Sequence, residues 1–147
     1  MEDNVLVIHG GGPTPVINAS LYGVIKQAVE SGGIRKVYGA LGGTRGVLEE
    51  DFFDLLRIPE EERELLLRTP ASAIGSSRFA LEDGDYAKMP GIFRKHGIKY
   101  VLLNGGNGTM DTCGKIDAAC GGRVNVVGIP KTIDNDIAVT DHTPGYG

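Results

Sequence analysis

Twice in this chain a short, mostly apolar run ends in a cluster of glycines and is followed by a segment of helical period. Residues 4–9, NVLVIH, run into GGGPTP and then VINASLYGVIKQAVESGG. Residues 99–103, KYVLL, run into NGGNG and then TMDTCGKIDAAC. Apolar runs of this length between turn signals read as buried strands, and the apolar spacing after them reads as helix. Further strands are expected at 35–41 and 123–129. The stretch GGTRG reads as a flexible loop. Residues 49–68 read as two short helices broken at Pro59, and ASAIGSSRF as a short strand entering a loop. YAKMPGIFRKHG reads as a helix interrupted or started near Pro90, and everything after Ile129 as a long functional loop. Strands alternating with helices argue for an α/β domain, a Rossmann-like, doubly wound, mostly parallel sheet with helices on both faces. In such sheets ligands bind beyond the carboxyl ends of the strands. GGGPTP, GGTRG, NGGNGT and PKTIDND all follow expected strands, so they are expected to meet on one edge.

Glycine supplies 23 of the 147 residues, without the every-third-residue repeat of collagen. The 41% apolar content is that of a globular protein, and the length fits one modest domain. A formal net charge of −4 gives no basic face for a nucleic-acid partner. No apolar run is long enough to span a bilayer, so no membrane partner is expected. The acidic MEDN start lacks the basic region of a secretory signal. Cys113 and Cys120, on one helix, lie too far apart for a disulfide and read as reduced thiols in a cytoplasmic protein. The chain stops at HTPGYG with no closing element before it, as a piece of a longer chain would.

The chemistry concentrates in the loops. Glycine clusters let backbone N–H groups approach an anion, and the helix N-terminus that follows adds partial positive charge. Phosphate is the natural guest; the competing reading is that the glycines only make tight turns. Neither loop fits the Walker A or the G-x-G-x-x-G pattern. In PKTIDND, Lys131 offers charge to a phosphate, one carboxylate offers a general base, and another could hold a hard cation. An Asx turn is the plainer alternative for Asp134 and Asn135. Arg78 in GSSRF, and more weakly Arg45 in GGTRG, are candidates to clamp phosphate, against a surface ion pair for each. His9, His96 and His142 show no metal spacing and read as structural or exposed.

GGGPTPVINAS, GSSRF, NGGNGTMDT and above all PKTIDND, in this order across the whole chain, resemble the phosphofructokinase family. The resemblance implies the donor-binding and catalytic-loop part of such an enzyme, over residues 1–147, with the sugar-phosphate half absent. It implies phosphoryl transfer to the 1-hydroxyl of fructose 6-phosphate, with ATP or pyrophosphate as donor, Mg²⁺ as cofactor and a homo-oligomer at full length. Gly11, Arg78, Phe79, Gly106, Asn107, Gly108, Thr109 and Lys131 then fall at the donor. Thr132, Ile133 and Asp134 fall at the sugar, with Asp134 as catalytic base and Thr132 and Arg78 at the transferring group. Asp136 lies near the metal. The family's second loop carries an aspartate for Mg²⁺ where this chain has Asn107. Gly108 is the residue of ATP users, whereas Lys131 and Pro13 are those of pyrophosphate users; steric access at Gly108 tips the balance toward ATP. A NAD-kinase or lipid-kinase type of enzyme and a non-catalytic phosphate-binding or regulatory module are the alternatives.

Overall fold

The computed structural model describes residues 3–11, 15–69, 72–76 and 79–131. Five strands form one sheet in the order β3-β2-β1-β4-β5. β1 (Asp3–His9) occupies its centre, pairing in parallel with β2 (Ile34–Ala40) on one side and β4 (Ile98–Gly105) on the other. β5 (Asn125–Pro130) extends the parallel ladder beyond β4. The chain moves outward from β1 in one direction through α1 (Pro15–Ser31) to β2. It moves in the other direction from β4 through α5 (Asn107–Cys120) to β5. Crossovers that run in opposite directions put α1 and α5 on opposite faces, which is the doubly wound architecture that the alternation predicts.

Strand alternation sorts the core into two layers. Val5 and Val7 of β1 and Val37 of β2 pack with Leu21, Ile25 and Ala28 of α1. Leu6, Ile8, Val101 and Leu103 point the other way. They meet Met89 and Phe93 of α4 (Asp83–Lys95) and Ile116 and Cys120 of α5. Both cysteines lie on α5 and are free. No helix among the described residues is long and apolar enough to cross a membrane.

Four local expectations are corrected. GGTRG is not a loop throughout. Gly42 and Gly43 take positive φ, a conformation cheap only for glycine, and turn the chain into the short helix α2 (Thr44–Leu48). Residues 49–68 break at Pro59 as expected, but the part before it is mostly not helical. Phe52–Asp54 form β3, antiparallel to β2, followed by a 3₁₀ turn at Leu55–Arg57, α3 (Glu60–Arg63) and a second 3₁₀ stretch at Glu64–Arg68. Only Leu55 and Leu66 of the two 3₁₀ stretches are buried, too few inward residues to sustain a long amphipathic helix. Residues 72–76 hold no strand. Pro90 neither starts nor interrupts α4, which begins seven residues earlier in a capping box between Glu82 and Asp85. Burial of Met89 and Phe93 on either side of the proline holds the helix together across it.

Candidate active site

β1 and β4 are neighbours that lead away in opposite directions, so the crevice between their carboxyl ends is the switch point of the sheet. His9 and Asn104 face each other there in register, and the Gly10 N–H donates to the Asn104 carbonyl at 2.9 Å. The two glycine loops therefore leave the sheet side by side. Thr109, in the first turn of α5, wedges between them. A Cβ on either Gly10 or Gly105 would run into its side chain. A Cβ on Gly105 would also come within 2.8 Å of the Gly10 carbonyl oxygen. The glycines at 10 and 105 thus serve the contact between loops, while Gly11, at φ 74°, supplies a left-handed turn.

These loops enclose a cavity of about 390 Å³. Gly11, Phe79, Gly106, Gly108 and Thr109, all expected at the donor, line it. Gly106 is the N-cap of α5 and offers no side-chain cap. An uncapped helix start facing a cavity presents backbone donors and the positive end of the helix dipole to an anion. Asn107 is the first residue of α5 and does not line the cavity. Lys131, just past β5, is buried beside Gly105 and Gly106 and likewise does not line the cavity. Its N–H donates to the Gly105 carbonyl at 2.7 Å, and burial pushes its ammonium pKa down. Arg78, Thr132, Ile133, Asp134 and Asp136 lie outside the described residues. Arg45 forms the exposed ion pair of the plainer reading, with Glu49 at 2.9 Å.

The cavity also has walls that motif reading did not single out. Thr112 and Lys115 of α5 line it together with Gly108. Spacings of four and three residues put 108, 112 and 115 on one helix face, a signal present in the sequence. Lys115 is exposed and paired with Asp111 at 3.2 Å, and that carboxylate raises its pKa. Thr44 and Tyr86 reach the cavity from α2 and α4, placements that only tertiary packing decides. His9 lines it too, as a buried residue. Burial first, and the Lys131 charge second, push its pKa down to about 4, so the imidazole is neutral at neutral pH.

The described residues contain no group of three or more His, Cys, Asp or Glu side chains able to hold a metal ion. Asn107 offers an amide where a carboxylate is the better Mg²⁺ ligand. Asp136, the other residue expected near the metal, lies outside the described residues.

Comparison with known proteins bears on this arrangement. The chain is 39% identical over 151 residues to the pyrophosphate–fructose 6-phosphate 1-phosphotransferase of Rhodospirillum rubrum, covering 99% of this chain and 37% of that protein. It is 32% identical over 148 residues to the ATP-dependent 6-phosphofructokinase of Haemophilus influenzae, covering 99% of this chain and 44% of that protein. It superposes with a TM-score of 0.90 on the crystal structure of the pyrophosphate-dependent phosphofructokinase from Nitrosospira multiformis, at 36% identity, covering 97% of this chain and 37% of that one. The chain thus spans less than half the length of these relatives. The lean toward ATP drawn from Gly108 finds no support in them, since the more similar of them are named for pyrophosphate. The phosphofructokinase family model matches residues 4–147, and with the shared fold and the paired glycine loops this makes the chain a member of the phosphofructokinase family.

Proposed function

We propose that this chain is the donor-binding and catalytic-loop domain of an enzyme that phosphorylates the 1-hydroxyl of fructose 6-phosphate, with pyrophosphate as donor. The observation that carries the reading is the pairing of two glycine loops around Thr109, with an uncapped helix start in the cavity and the buried Lys131 beside the second loop. Phosphoryl transfer is mainly positioning and neutralisation of charge, and backbone N–H groups and a desolvated cation supply both. Lys131 favours pyrophosphate, which brings no nucleoside and concentrates its charge on two phosphates. Asp134 takes the proton of the 1-hydroxyl as its oxygen bonds to phosphorus and the bridging P–O bond breaks, releasing phosphate. Thr132, Ile133 and Arg78 hold the sugar and the transferring group. The sugar phosphate is held by the part of the enzyme that lies outside this chain.

ATP is the second reading. A Cβ at Gly108 would meet nothing among the described residues within 4 Å, which leaves room there for a nucleotide. The test is an assay of the full-length enzyme with each donor. Fructose 1,6-bisphosphate formed from pyrophosphate alone supports the first reading, and formation from ATP alone replaces it with the second. Product from neither donor removes the kinase reading. Asp134→Ala should lower kcat by on the order of 10³ while leaving donor binding nearly intact.

A further inference from the structure

Residues 72–76 form no helix or strand, yet they are tied to three separate elements. Ser72 Oγ lies 2.6 Å from His9 Nδ1 at the end of β1. The Ala73 N–H donates to Asn18 Oδ1 of α1 at 2.7 Å. The Gly42 N–H, just past β2, donates to the Ile74 carbonyl at 2.9 Å. A few residues on, Phe79 forms part of the cavity wall. His9 is 1% exposed, and its Nε2 has no hydrogen-bond partner among the described residues. That nitrogen is also sealed from solvent, so a phosphate oxygen entering the cavity does not reach it.

We propose that His9 is a positioning residue of the donor cavity, fixing the 72–76 bend through Ser72, and with it the Phe79 wall, without touching the donor itself. The inference deepens the function proposed above and rests on reading the cavity as a phosphoryl-donor site. An imidazole suits the task because the ring fills the buried space at the sheet edge while one nitrogen makes the tether. Because it stays neutral, the ring adds no charge beside Lys131.

Three substitutions separate the tether from the ring's other nitrogen. An asparagine amide reaches about where Nδ1 sits, a glutamine amide about where Nε2 sits, and leucine fills space with neither. Amide hydrogen exchange of the chain without ligand should show Ala73 and Gly75 exchanging at least tenfold faster in His9→Leu, with Val101 and Leu103 of β4 unchanged. His9→Asn should restore protection, and His9→Gln should not. Pyrophosphate affinity of the full-length enzyme should follow the same order, falling about tenfold in His9→Leu and recovering in His9→Asn. Wild-type protection of the bend in His9→Leu, or rescue by glutamine but not asparagine, would overturn the proposal. Should the wild-type enzyme bind neither pyrophosphate nor ATP, the donor reading falls, while the exchange pattern still decides whether His9 positions the bend.

Discussion

A methyl group at position 10 or 105 meets the same obstacle, the Thr109 side chain, yet the two sites predict different outcomes. At Gly10 the three atoms nearest the added carbon all belong to Thr109, so Gly10→Ala should destabilise by about 1–3 kcal/mol, and Thr109→Ala should recover most of that loss. At Gly105 the Gly10 carbonyl also stands in the way, and backbone does not yield, so Thr109→Ala should not rescue Gly105→Ala. Urea unfolding of the four variants checks this. His9 carries a second prediction at the same scale. Its pKa falls from 6.5 to about 4 on folding. Between those values the unfolded chain binds a proton that the folded chain refuses. The stability from a neutral His9 is therefore fully present above pH 6.5 and drains away as the pH falls toward 4, by about 3 kcal/mol at most. His9→Asn, uncharged throughout, should flatten that part of the stability profile measured between pH 7.5 and 4. The sequence names His9 and the glycines. Whether a glycine makes a turn or only lets a threonine in depends on contacts between loops about 95 residues apart.

Elements were legible where the hydrophobic period was strong, and were misread where local cues conflicted. β1, β4, α1 and α5 carry long apolar patterns with glycine punctuation, and all four stand close to their expected places. The 49–68 stretch is rich in leucine and charge, which locally favours helix. Phe52–Asp54 are nonetheless drawn into the sheet because pairing with β2 satisfies their backbone. Glu50, just before them, adopts a positive φ of 55°, and its carboxylate meets Lys95 at 3.0 Å and His96 at 2.8 Å. No local pattern announces that tie, since its partners lie 45 residues away. In α4 the Glu82 N–H donates to Asp85 Oδ2 at 2.9 Å, and this box starts the helix that delivers Tyr86 to the cavity. Asp85→Ala should cost about 1 kcal/mol in urea unfolding and should weaken donor binding a few-fold by loosening that wall.

At the scale of the whole molecule, the chain is one part of a longer architecture shared with its relatives. It spans 37% of the length of the Rhodospirillum relative, and its described residues build a cavity at the switch point of a sheet centred on β1. The isolated 147-residue chain is expected to bind pyrophosphate weakly and to show less than about 1% of the full-length kcat, because the acceptor is not held for in-line attack. A coupled assay of both forms at matched concentration checks this, and comparable turnover would place the sugar site within this chain. By itself the sequence determined the α/β class, the two glycine loops that leave neighbouring strands and the family, because each rests on local period, turn chemistry or motif. Tertiary structure alone decided that Thr109 joins the two glycine loops, that Lys131 lies buried beside the second and that Thr44 and Tyr86 close the cavity. Those facts depend on how strands distant in the chain come into register, and parallel pairing across crossovers leaves no mark in any short window of residues.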